Sequence, residues 1–91
     1  LRCLRPFDLN TILESIARTG RVVIFDEDFP HGGLAAELCA SISQHGFTSL
    51  DAPPMRIASR DCPIPYQPAL WAAHRPQRAD LIHAVRTLTR F

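Results

Sequence analysis

The run "RVVIFDED" constrains the fold more than any other stretch of this chain. Val22, Val23, Ile24 and Phe25 are consecutive, β-branched or aromatic, and followed by acids at Asp26, Glu27 and Asp28. An apolar run with no polar alternation describes a strand covered on both faces, as in a parallel sheet with helices on either side. The flanking segments agree. Upstream, "RPFDLNTILESIARTG" sets Leu9, Ile12, Leu13, Ile16 and Ala17 on one helical face, with Asp8 as N-cap and Gly20 as the C-terminal stop. Downstream, "GGLAAELCASISQHGF" sets Leu34, Ala35, Leu38, Cys39 and Ile42 on a second stripe that ends at Gly46. Its mixture of small and large residues lets a helix lie close against a sheet.

The rest of the chain continues the alternation. "LRCL" at the start reads as a strand with no turn before it, so the chain is expected to begin inside a domain whose first elements lie upstream. "LDAPPMRIASRD" carries a short strand over Met55 to Ala58, introduced by two prolines that cannot donate within a ladder. From Cys62 to Pro76 the prolines at 63, 65, 68 and 76 predict an extended connection without regular structure. A last helix starting at Pro76 is expected to bury Leu81, Ile82, Val85 and Leu88. Strand, helix, strand, helix, strand, long loop and helix in that order predict an α/β fold on a mostly parallel sheet, with residues 1–91 as one domain.

Composition excludes several function classes. The formal net charge is +1 and the charged share 21%, so there is no global electrostatic footprint for nucleic acid or an anionic membrane surface. No apolar run approaches the roughly 20 residues of a membrane span. Cys3, Cys39 and Cys62 are odd in number and lack CxxC spacing. Without a secretory signal they predict a reduced, cytoplasmic setting, with the thiols as small apolar fillers.

The loop "DEDFPHGG" is the one candidate for chemistry. It stands at the carboxyl end of a strand and before a helix N-terminus, where α/β sheets gather ligands and free N–H groups hold anions. An anion site over Asp26 to Gly33 is one reading. Against it, "HGG" has neither GxGxxG spacing nor a GK[ST] ending, and three neighbouring acids repel a phosphate. The plainer reading is a tight turn that Gly32 and Gly33 permit. His31 suits a general base oriented by Asp26 or Asp28, yet no nucleophile accompanies it in sequence. His45, His74 and His83 lie in separate segments without ligand spacing, so no metal site is expected. His83, Arg86 and Arg90 share one face of the last helix, which reads as a solvated surface before a docking one. Trp71, Phe29, Phe47 and Phe91 either close the core or face a neighbouring subunit.

Taken together, "LRCLRPFDLNTILESIARTGRVVIFDED", "GGLAAELCASI" and "LDAPPMRIASRDCPIPYQPAL" resemble the C-terminal domain of the transketolase family in its 2-oxo acid dehydrogenase β-subunit form. The likeness covers essentially the whole chain. Its most specific part is Asp51 to Pro53, Arg56, and Asp61 to Tyr66.

The resemblance implies a three-layer α/β/α sandwich on a mixed sheet whose first strand and helix are absent here, leaving an edge exposed. It implies a non-catalytic domain without a cofactor or metal ligand, in which the "HGG" turn is structural. The parent would be an oxidoreductase of the pyruvate, branched-chain or acetoin type, with thiamine diphosphate and magnesium bound where the α subunit meets the β subunit's N-terminal domain. Partners implied are the α subunit, a second β subunit and an acyltransferase core. Phe91 and Asp51 are then candidates for acidic contacts to that core. Trp71 departs from the family pattern, which carries an acid after "AL", so that acid's role does not pass to it; as a large aromatic in a Pro-rich segment it is a third candidate for a partner contact.

Overall fold

A computed structural model describes residues 1–91. Helix α1 (Leu9–Thr19) leads into strand β1 (Val23–Phe25), helix α2 (Leu34–Gly46), strand β2 (Met55–Ile57), helix α3 (Pro68–His74) and helix α4 (Arg78–Leu88), with a 3-10 turn over Phe47–Ser49. The strands pair in parallel, with Val23 opposite Met55, Ile24 opposite Arg56 and Phe25 opposite Ile57. Helices α2 and α4 each pack on both strands and make no substantial contact with one another, so the strand pair lies between them. Helix α1 packs on α2. The result is the α/β arrangement with a parallel sheet that the alternation of patterns predicts.

The caps of α1 are those read from the sequence. The Asp8 carboxylate accepts the Thr11 N–H at 3.2 Å, and Gly20 ends the helix with φ +69°, its N–H bonded to the Ile16 carbonyl at 2.7 Å. That left-handed geometry is the one glycine adopts without strain. The stripe on α2 is also as expected: Ala35, Leu38 and Ile42 are buried and form the centre of the core with Ile16, Ala52, Ala84 and Leu88.

Six expectations are corrected. "LRCL" is not a strand; residues 1–4 form no ladder with either strand, and Leu1 and Leu4 are exposed. A strand exists only through pairing, and these residues bond to neither strand. Of the Pro-rich connection, residues 68–74 are helical. Pro68 occupies the first turn, where its missing N–H costs nothing, and the Gln67 side chain caps the Leu70 N–H at 2.9 Å. Helix α4 starts at Arg78, not Pro76, because Gln77 and Asp80 close a capping box. It turns Leu81, Ala84 and Leu88 inward, while Ile82 and Val85 are 40% and 46% exposed. The small Ala84 lets the helix approach the strands, and the bulkier pair is left outside. On α1 Ala17 is likewise exposed. Finally, Cys3 and Cys62 are exposed and only Cys39 is half-buried, so two of the thiols are not core fillers.

An apolar cleft of about 520 Å³ opens along the free edge of β1. Val23 to Phe25 line it from β1 with Val22 and Asp26 at its two ends, Ile12 from α1, Leu34, Leu38 and Ile42 from α2, and Leu1 and Leu4 from the opening segment.

Candidate functional site

The loop between β1 and α2 is sewn to the end of β2. The Asp26 N–H donates to the Ile57 carbonyl at 2.9 Å, extending the ladder by one bond. Ser59, itself buried, donates its N–H to the Asp28 carbonyl at 3.0 Å and its hydroxyl to the Glu27 carbonyl at 2.6 Å. Arg56, within the most specific motif of the sequence, donates to the Pro30 carbonyl. The bonds bind backbone rather than presenting it to a ligand.

The glycines have structural reasons of their own. A Cβ at Gly33 would overlap the Phe29 carbonyl oxygen and stand 3.3 Å from the Asp28 carboxylate. Asp28 therefore lies at the mouth of α2, where the helix dipole favours negative charge, and it also accepts the Phe29 N–H at 2.7 Å. The place that an anion would take is already faced by a carboxylate. His31 is exposed, and neither Asp26 nor Asp28 hydrogen-bonds to it. One Asp26 oxygen is buried without a partner. No three His, Cys, Asp or Glu side chains converge on a common point. At the mouth of α2 the Asp28 carboxylate does not suit a pyrophosphate.

Of the candidate partner-binding residues, the structure brings two together through a third. Arg21 donates through Nε to the Leu88 carbonyl at 2.9 Å and through a terminal nitrogen to the Phe91 backbone oxygen at 2.7 Å. Its other terminal nitrogen stands 3.7 Å from the Asp51 carboxylate. Asp51 and Phe91 thus share one guanidinium, and both remain open to solvent, the Asp51 side chain at 66% and Phe91 at 62%. Trp71 is not part of this group. It lies on α3, exposed, with the Arg75 guanidinium stacked 4.3 Å from its ring centroid. Among the other aromatics Phe47 is exposed, and Phe29 is half-buried against His74. His83, Arg86 and Arg90 are all exposed, as a solvated face requires.

Sequence reasoning did not reach Arg21, which is separated from its acceptors by 67 and 70 residues. It also missed the contact between Cys62 and His74, which depends on α3.

Comparison with known proteins decides the family. The profile described as "Transketolase, C-terminal domain" matches residues 1–81. The chain belongs to the transketolase C-terminal domain family. Among its relatives, the mitochondrial pyruvate dehydrogenase E1 component subunit beta-1 of Arabidopsis thaliana is 44% identical over 84 residues, covering 92% of this chain and 23% of the relative. The pyruvate dehydrogenase E1 component subunit beta of Rhizobium meliloti is 38% identical over 88 residues, covering 97% of this chain and 19% of the relative. The mitochondrial counterpart from Dictyostelium discoideum is 36% identical over 89 residues, 98% of this chain and 25% of the relative. The chain of this transketolase C-terminal domain thus spans about a quarter of the length of these relatives or less.

Proposed function

We propose that this chain is the C-terminal domain of the β subunit of a thiamine-diphosphate-dependent 2-oxo acid dehydrogenase. In this reading it serves subunit assembly and docking to an acyltransferase core, and takes no part in the chemical step. The observation that carries the reading is the extent of likeness: over 92% of the chain or more aligns with relatives named as pyruvate dehydrogenase β subunits. The geometry supports the division of labour. The loop at the carboxyl end of β1 is held by bonds from Ser59 and Arg56, whereas Ile82 and Val85 on α4, Trp71 on α3 and Phe91 stand exposed where a partner would cover them.

The parent is then an oxidoreductase acting by oxidative decarboxylation, with pyruvate the substrate its relatives' names favour. Thiamine diphosphate and magnesium supply the decarboxylation chemistry from a part of the β subunit outside residues 1–91 and from the α subunit. A second β subunit completes the assembly. A cytoplasmic setting goes with this reading; no helix is long and apolar enough to cross a membrane.

Sedimentation of the parent enzyme with and without residues 1–91 tests the assignment. The expected result is an intact assembly that binds the core in the first case, and loss of both β–β association and core binding in the second. Equal assembly and core binding without the domain contradicts the proposal. Turnover of pyruvate by the 91-residue chain supplied with thiamine diphosphate and magnesium contradicts it from the other side.

A further inference from the structure

We propose that Cys62 is a reactive thiol activated by His74, and that it forms mixed disulfides with small anionic disulfides. The Cys62 Sγ lies 3.5 Å from the His74 Nδ1. His74 ends α3 and is only 5% exposed, while Cys62 is open to solvent. The base is therefore fixed behind the thiol, and the thiol faces outward.

Both groups are held in place. Arg60 donates its backbone N–H to the His74 carbonyl at 3.0 Å and its Nε to the Ala73 carbonyl at 3.1 Å, tying the segment after β2 to the end of α3. Cys62 donates its own N–H to the Arg60 carbonyl at 2.9 Å. The Phe29 ring meets the imidazole edge-on, with centroids 6.2 Å apart. The thiol opens on a recess of about 360 Å³ lined by Arg60, Pro63, Pro65, Leu70, Ala73 and His74. Reactive cysteines occupy such settings, part-exposed beside His or Arg, because the thiolate is the nucleophile.

The step balances without any reagent beyond the disulfide. His74 Nδ1 takes the thiol proton, and the Cys62 thiolate attacks one sulfur of R–S–S–R. The Cys62 S–S bond forms, the R–S–S–R bond breaks, and the departing thiolate receives the proton as R–SH. Cys62 is oxidised and the leaving sulfur reduced. Arg60 is the cation in the recess and pairs with a carboxylate of the incoming group. The other charged groups near the pair are Arg56, Arg75 and Asp80, which line a second recess with His74, and Asp61, which precedes Cys62 in sequence.

Cys3 provides a control within the same molecule, since it is exposed and has no such neighbour. The test incubates the full-length parent chain with oxidised glutathione from pH 6 to 9 and follows both sites by peptide mass mapping. Cys62 is expected to react on the order of 10-fold faster than Cys3 near neutral pH. The advantage of Cys62 over Cys3 should widen toward the acid end of the series, because a base is in contact with the Cys62 thiol and none with Cys3. In a folded His74→Asn chain Cys62 should slow to the Cys3 rate, with Cys3 unaffected. Arg60→Gln should slow the reaction with glutathione disulfide and not with uncharged hydroxyethyl disulfide. If His74→Asn does not fold, the two wild-type pH profiles decide. Parallel profiles with equal rates, no modification of Cys62, or a folded His74→Asn chain that reacts as fast as wild type would each overturn the proposal.

Discussion

Asp51 donates its backbone N–H to the Gly20 carbonyl at 2.7 Å, and its carboxylate fills the space into which a side chain at residue 20 would project. The end of α1 and the turn before β2 are thereby locked together, and the same carboxylate faces Arg21. One glycine thus joins helix termination, the approach to β2 and the placing of a candidate partner contact.

Gly20→Ala is expected to destabilise the chain by about 2 kcal/mol, from left-handed strain of about 1 kcal/mol with overlap against Asp51 added. Chemical denaturation of the 91-residue chain measures it. Repeating the substitution in an Asp51→Ala background separates the parts: the overlap is relieved there and the strain is not. A loss under half a kcal/mol in the wild-type background would contradict the geometry.

The caps of α1 and the stripe of α2 were legible because both are local: a capping side chain and a 3.6-residue period are visible within a few residues. Helix α3 was not, since the prolines at 63, 65 and 68 outweighed the one fact in its favour, that proline suits a helix's first turn. The rotation of α4 escaped for a different reason. Hydrophobicity ranks Ile82 and Val85 above Ala84, but the close approach to the strands rewards the smaller side chain. In the loop before α2, the motif spacing already argued for a turn, and the bonds from Ser59 and Arg56 supply its physical basis. Arg21 and the Cys62–His74 contact join segments distant in sequence, and no local pattern announces them.

Asp8 gives a pH dependence with a definite sign. The Thr11 hydroxyl, at 2.7 Å, and then the Thr11 backbone N–H hold its carboxyl below the ordinary value of 3.8, with burial opposing weakly. A depressed folded value means that the cap's stabilisation is fully present above the unfolded pKa and is lost as pH falls through the folded one. The Tm of Asp8→Ala should therefore lie below wild type at neutral pH, with the gap closing below pH 3.8. A gap that is constant down to strong acid would show that the carboxylate's charge is irrelevant to the cap.

His31→Ala in the full-length parent should leave single-turnover decarboxylation nearly unchanged. His31 is exposed and unbonded, and surface substitutions away from special features stay within about half a kcal/mol. Removing a general base instead lowers the rate by roughly 100-fold or more. A loss of that size would return the loop to the list of catalytic candidates.

The shared guanidinium of Arg21 makes the docking reading testable in detail. A basic partner approaching Asp51 and Phe91 meets acceptors that Arg21 already neutralises in part, so electrostatic attraction should be weak and the exposed Phe91 ring should contribute most of the contact. Deleting Phe91 from the parent should therefore weaken binding to the acyltransferase core, with little change in its salt sensitivity. Decarboxylation with an artificial electron acceptor should be unaffected. Arg21→Gln should act in the opposite sense on the charge, leaving Asp51 unpaired and making core binding more salt-dependent, while the end of α4 loses its tie through Leu88. Sedimentation of parent and variants with the core across a salt series reads both effects. If deletion of Phe91 leaves affinity unaltered, the ring is an ordinary surface residue and the core binds elsewhere; if Arg21→Gln leaves the salt slope unaltered, Asp51 lies outside the contact.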